Sequence, residues 1–266
     1  MKQEICNLLT AACPWRDTRF WYAVIDSTNT RAKQMAQNGA AHGTVLIAGS
    51  QTGGRGRMGR SFASPEGMGV YLSVILRPNC TPDKLMHLTC AAAVAGCKAV
   101  ETVSGISPQI KWTNDLVFGK KKLGGILTEL ALDGATGLVA YAIIGIGINC
   151  RQSAADFPPE LQNMATSVSQ ISGASCSPVR LAAALTDALF QMDKMLLPGK
   201  KAILDAYRAH CMTLGKEISV VRGDEIRHGT ALDLDDDGEL VVRFSDGTVE
   251  TVHSGEVSIR GMYGYV

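Results

Sequence analysis

Residues 53–60 read GGRGRMGR, three arginines and four glycines in eight positions, with no acid before Glu66. The segment lies between two apolar runs rich in β-formers, TVLIAGS (44–50) and VYLSVIL (70–76). Solubility does not require this concentration of charge in a chain whose formal net charge is +1. Arginine presents a planar fork of donors that matches carboxylate and phosphate oxygens, and glycine lets the backbone approach a ligand closely. The pattern predicts a mobile loop that grips an anion, and a solvated turn is the plain alternative.

Gly54, Gly56 and Gly59 also satisfy G-x-G-x-x-G. A dinucleotide fingerprint should open a helix in a βαβ unit and be followed about twenty residues on by an acid for the ribose. Here turn residues at 65–69 and a β-rich run follow instead. A kinase glycine loop is disfavoured in the same way, since no V-A-I-K or H-R-D set follows.

The length of 266 residues suits one large domain plus a small one. With 26 basic and 25 acidic residues the chain is not built to coat nucleic acid, so anion binding has to be local. Eight cysteines are scattered without a CxxC pair, and the first residues, MKQEICNLLT, contain no signal-peptide core. Reduced thiols in a cytoplasmic protein are expected. The five histidines have no metal-ligand spacing, so no metal site is predicted. The apolar run AYAIIGIGI is too short and glycine-broken to span a membrane.

Ser27, Thr28 and Asn29 precede a helical pattern in which Ala32, Met35 and Ala36 share a face and Gly39 supplies the stop. A long buried helix is predicted from Thr81, with Pro82 at its first position and Gly105 past its end. QIKWTNDLVF, KLGGILTELAL and GLVAYAIIGIGINC read as β pieces separated by short polar turns, which favours an antiparallel or mixed sheet. Two helices are expected in SPVRLAAALTDALFQMDKMLL and PGKKAILDAYRAHC. Beyond Leu214 short alternating runs punctuated by RGDE, DDDG and SDG predict a small β-barrel, so the expected division is 1–214 and 215–266.

Lys111, within QIKWTNDLVF, can be an edge-strand gatekeeper. Gathered with Arg55, Arg57 and Arg60, it makes a second case, because mutually repelling cations call for an anionic ligand. The glycines of KKKLGGIL and GIGIN mark bulges or close approach of a backbone or ligand. Ser27, Thr28 and Gln51 can be caps and turn residues.

The ordered set DSTN (26–29), Q-x-x-G-R-G-R-x-G-R (51–60), K-W-x-N-D (111–115), K-L-x-G-I-L (122–127) and G-x-G-I-N (145–149) resembles biotin protein ligases. The tail resembles their C-terminal SH3-like domain, and the resemblance covers roughly 20–262. Thr113 stands where the family usually has proline. Only about twenty residues precede the core, which leaves no room for the winged-helix domain of the repressor subclass.

The resemblance implies an α+β fold: a mixed sheet flanked by helices, with a synthetase-like core and an SH3-like barrel. It implies activation of biotin by ATP to biotinyl-AMP, then transfer to a lysine of a biotin carboxyl carrier protein. Lys111, Arg57 and Arg55 are the implied catalytic residues. Biotin falls to Ser27, Thr28, Asn29, Gln51, Arg55, Gly56, Arg57, Lys111, Gly145 and Gly147. ATP falls to Arg57, Arg60, Lys111, Lys122 and Asn149, with Mg2+ accompanying it and Asp115 a candidate ligand. No nucleic acid or membrane partner is implied, and there is room for a homodimer. A lipoate ligase shares the adenylation logic but carries an R-R-x-x-G-G-G element where this chain has GRGRMGR. A nucleic-acid-binding regulator is the rival of another class.

Overall fold

The computed structural model describes residues 7–9, 13–254 and 258–261, with residues 16 and 258–261 described by backbone alone. Of the start of the chain read above for export signals, residues 1–6, Cys6 included, lie outside the described residues, as do 10–12, 255–257 and 262–266.

Seven strands, β1 (Arg19–Ile25), β2 (Thr44–Gln51), β3 (Gly69–Leu76), β4 (Gln109–Lys111), β5 (Asp115–Phe118), β6 (Lys121–Leu132) and β7 (Val139–Asn149), form one sheet. Its order is β1-β2-β3-β7-β6-β5-β4. β1 and β2 run parallel, and every other neighbouring pair is antiparallel, which is the mixed sheet expected. β3 is buried along its whole length, in keeping with the near-continuous apolar runs of strands covered on both faces. On one face Ala32 and Ala36 of the helix Thr28–Gln37 pack on Leu46, Ile75 and Ile143. On the other, the helices Leu88–Ser104 and Pro178–Met195 cover Val45, Ile47, Val74 and Ile144.

Sequence and structure agree on the local signals of the first helix: Ser27 Oγ accepts from the Thr30 amide at 3.4 Å, and Gly39 takes φ 83°. The long helix differs at its start. Pro82–Leu85 forms a separate 3-10 turn, Thr81 makes no capping bond, and the helix begins at Leu88. Buried His87 stands at the junction with φ −80° and ψ 7°, its ring held 2.8 Å from the Leu196 carbonyl oxygen. Its other end is as expected, with Gly105 left-handed at φ 71°. QIKWTNDLVF is two strands rather than one: β4 and β5 pair antiparallel around a turn at 112–114, with Lys111 opposite Asp115 and a cis Trp112–Thr113 peptide bond. The turn is held by Asn114, whose side-chain amide donates to the Ile126 carbonyl at 2.9 Å. β1 has no counterpart in the sequence expectations.

The second sheet contains β8 (Glu217–Arg222), β9 (Glu225–Leu234), β10 (Leu240–Phe244), β11 (Val249–Val252) and β12 (Ser258–Gly261), antiparallel in the order β11-β10-β9-β8-β12. Its inward residues Ile218, Val220, Ala231 and Val242 belong to the same apolar cluster as the large sheet. Between the two lies the helix Lys200–His210, whose Arg208 meets Asp233 at 2.9 Å and whose Lys200 meets Asp237 at 2.5 Å. No described helix is long and apolar enough to cross a membrane.

Candidate active site

A cavity of about 730 Å³ opens where the C-terminal ends of β2 and β7, the 53–60 loop, the β4–β5 turn and β6 converge. Its wall contains Ser27, Thr28, Asn29, Gln51, Arg55, Gly56, Arg57, Arg60, Lys111, Lys122, Gly145, Gly147 and Asn149. The residues singled out in five separate segments are thus brought to one place.

One pole of the cavity is polar without charge. Gln51 Oε1 accepts from the Thr28 amide at 2.8 Å and lies 3.1 Å from the Thr28 hydroxyl, while its amide nitrogen donates to Ser64 Oγ at 2.9 Å. Ser73 Oγ lies 2.6 Å from Asn29 Oδ1 and 2.8 Å from Thr28 Oγ1. The Asn29 oxygen can only accept, so the single Ser73 proton goes there, and Thr28 donates to either Ser73 or Gln51. Asn29 in turn donates to the Leu127 carbonyl at 3.2 Å and to Glu129 at 3.1 Å. The cluster is fixed from three strands and presents hydroxyl and amide groups to a ligand. Gly145 and Gly147 make it possible: a Cβ on Gly145 would overlap the Asn29 side chain, and one on Gly147 would lie 2.5 Å from the Phe62 ring. At Gly124 both alternatives of the sequence hold, a register irregularity in the facing β5 and a close backbone, the Gly147 oxygen lying 2.6 Å from a built Cβ.

The other pole is cationic. Arg55, Arg57, Arg60, Lys111 and Lys122 border the cavity, against Asp115 as the one carboxylate on its described wall. Lys111 ends β4 and is buried. Lys122 lies 2.6 Å from Asp115 Oδ1. Arg57 donates to Asn114 Oδ1 at 3.1 Å and to the Ser254 carbonyl of the small sheet, and burial pulls its pKa down from the usual arginine value. Arg55 is half exposed, 3.5 Å from Glu129. The loop folds back on itself, with the Gly56 amide donating to the Arg60 carbonyl at 2.7 Å and Phe62 to Gly54 at 2.9 Å. Met58 at its tip takes φ 54°. With Lys111 buried and Arg57 largely withdrawn from water, while Arg55 and Arg60 stay exposed, five cations facing one carboxylate on the described wall attract anionic groups.

Asn149 borders the cavity, but its side chain is engaged by the protein, donating to the Thr166 carbonyl at 2.9 Å and accepting from Gln152 at 3.3 Å. Ser73, Glu129 and Phe62 were not legible as site residues, because only strand pairing and loop closure bring them here. Among the described residues no group of three or more His, Cys, Asp or Glu side chains comes together.

Fold and cavity are those of the biotin/lipoate class of protein ligases: residues 21–149 match the Biotin/lipoate A/B protein ligase family, and 213–260 match the Biotin protein ligase C terminal domain. The chain is 31% identical to the biotin--[acetyl-CoA-carboxylase] ligase of Mycobacterium tuberculosis, over 94% of this chain and 92% of that protein. It is 35% identical to the bifunctional ligase/repressor BirA of Bacillus subtilis, over 90% of this chain and 73% of that one. The biotin protein ligase of Aquifex aeolicus, solved in complex with biotin and ATP, superposes with a TM-score of 0.78 at 28% identity, covering 92% and 99% of the two chains. The chain belongs to the biotin protein ligase family.

Proposed function

We propose that the protein activates biotin with ATP to biotinyl-5′-AMP and passes the biotinyl group to a lysine of a biotin carboxyl carrier protein, such as that of acetyl-CoA carboxylase. The observation that carries this reading is the pairing of two poles in one cavity, an uncharged cluster around Thr28 and Gln51 and a cationic one around Lys111 and Arg57. Biotin has a neutral ureido head and an anionic carboxylate, and the two ends call for these two environments.

In the first step a biotin carboxylate oxygen attacks the ATP α-phosphorus and pyrophosphate departs. In the second, a lysine amine attacks the acyl carbon, AMP departs and the amine loses a proton. Two anions have to meet, so the main service of the protein is positive charge placed where negative charge gathers. Lys111, a compact cation, bridges the carboxylate and the α-phosphate. Arg57 and Arg55 close over the adenylate, and Arg60 and Lys122 take ATP phosphates. Ser27, Thr28, Asn29 and Gln51 answer the ureido donors and acceptors, Gly56, Gly145 and Gly147 admit the ligand closely, and Asn149 stands on the nucleotide side.

Mg2+ enters with ATP. Among the described residues that line the cavity Asp115 is the one carboxylate, a donor set that fits a cation sharing its shell with phosphates rather than a protein cage. We place the boundary between catalytic and C-terminal domains near residue 214 and the protein in the cytoplasm, where ATP and the carrier are found.

The test is transfer of radiolabelled biotin to an isolated carrier domain. Label should enter the carrier only when ATP is present and should resist competition by excess lipoate. ATP-dependent transfer of lipoate in place of biotin overturns the reading.

A further inference from the structure

Glu239 is a buried carboxylate, 5% exposed, in the small sheet immediately before β10, and the chemistry above gives it no part. Burying a carboxylate is costly unless its oxygens are satisfied, and burial pushes the Glu239 pKa up. Its Oε2 accepts from the Ser254 amide at 2.7 Å, and Oε1 lies 3.4 Å from the Ser254 hydroxyl. Its own backbone closes the 235–239 turn, the amide donating to Asp235 Oδ1 and the carbonyl accepting from the Asp235 amide, both at 2.9 Å.

That turn is fastened to the catalytic core. The Gly238 carbonyl accepts from the Trp112 indole at 3.0 Å, one residue beyond Lys111, and Asp237 holds Lys200 at 2.5 Å. Gly238 is left-handed at φ 83°, and a Cβ there would lie 2.8 Å from Cys90 Sγ, so the turn sits close against the core. Ser254, clamped to the turn by Glu239, offers its carbonyl to Arg57, whose other terminal nitrogen is on Asn114. Arg57 is thus strung between the two sheets, and Glu239 fixes one of its anchors.

We infer that Glu239 is a positioning residue for Arg57, holding the Ser254 carbonyl where it draws the arginine loop down over the cavity. The inference rests on the proposed adenylation for its consequence, slow loss of biotinyl-AMP, but the positioning itself is open to measurement without any substrate.

Limited trypsin digestion of the ligand-free full chain reads the loop directly through cleavage after Arg55, Arg57 and Arg60, scored by mass spectrometry against cleavage elsewhere. Loss of one charge-assisted anchor predicts loop cleavage about tenfold faster in Glu239→Ala, with Glu239→Gln, which keeps an acceptor oxygen, close to the parent. Release of preformed biotinyl-AMP should accelerate in the same order, and Glu239→Ala should add nothing once Arg57 is glycine. Unchanged loop cleavage in a folded Glu239→Ala protein, or the same acceleration of release in the Arg57→Gly background, overturns the inference. Faster loop cleavage in a protein that makes no biotinyl-AMP instead upholds the positioning and removes the proposed function.

Discussion

Thr28 and Gln51 meet at one oxygen: the Gln51 side-chain oxygen takes the Thr28 amide at 2.8 Å and lies 3.1 Å from the Thr28 hydroxyl. The first turn of a helix and the end of a strand, 23 residues apart, are locked by one amide group. The same residue lines the cavity, on the pole proposed above for the neutral head group of biotin. Gln51→Ala removes a donor and an acceptor from the cavity wall. Steady-state kinetics should show the KM for biotin raised about tenfold or more, from roughly 1–3 kcal/mol of lost hydrogen bonding, with the KM for ATP within about twofold. A parallel rise in both constants would place Gln51 outside the biotin site.

Arg57 is the arginine of the loop most withdrawn from water, and its two anchors lie in the β4–β5 turn and just past the end of β11. Each charge-assisted bond to an anionic intermediate is worth about 1.5–3 kcal/mol. Arg57→Gly should therefore still form biotinyl-AMP but release it about tenfold faster or more in a rapid-filtration assay. Retention equal to the parent would show that the loop does not hold the intermediate.

Gly145 leaves the space that Asn29 fills. A methyl group there displaces Asn29 from Ser73, Leu127 and Glu129 together. Gly145→Ala is expected to cost about 1–3 kcal/mol in urea unfolding, as overpacking of a well-filled core does. It should also weaken biotin binding measured by calorimetry. A stability equal to the parent would mean that Asn29 has another rotamer open to it.

His87 is fully buried, and because the Leu196 carbonyl 2.8 Å from Nε2 can only accept, that nitrogen carries the proton of a neutral ring. Nδ1 has no partner among the described residues, and burial holds the pKa below the usual histidine value. The depressed folded pKa means that the unfolded chain takes up a proton first. The stability contributed by the neutral ring is complete above about pH 6.5 and is lost as pH falls toward the folded pKa, with a slope of at most about 1.4 kcal/mol per pH unit. His87→Gln keeps a donor for Leu196 without this titration, so between pH 7 and 5 its Tm should fall less than that of the parent. Equal slopes would locate the acid sensitivity elsewhere.

Wherever the controlling interactions are short in sequence, the residues announce the structure. Ser27 and Gly39 bracket their helix because a cap and a left-handed stop act within four residues. The GRGRMGR loop and the strands around it are legible for the same reason. Thr81 and Pro82 carry an equally good start signal, yet the helix begins only after His87, whose ring is held by Leu196, 109 positions away. The break after Lys111 depends on Asn114 reaching the Ile126 backbone, and β1 exists because β2 offers it a parallel edge. Ser73 and Glu129 line up with Asn29 only after three strands have paired, and no spacing in the chain encodes that.

The segment leading into the small sheet is itself stitched to the strand that bears Lys111. Ile110 bridges Cys211 in parallel, its carbonyl accepting from the Met212 amide at 2.9 Å, and the Trp112 amide donates to Thr213 Oγ1 at 2.9 Å. With the indole donating to Gly238, three polar groups flanking Lys111 are, among the described residues, partnered by residues after 210. A core expressed without them would expose or bury those groups unanswered, which costs on the order of 1–3 kcal/mol apiece. Grafting the tail of a relative onto this core is therefore a graft onto the support of Lys111 itself, and a chimera is expected to keep its activity only if the join lies upstream of 211 and the incoming tail restores all three contacts.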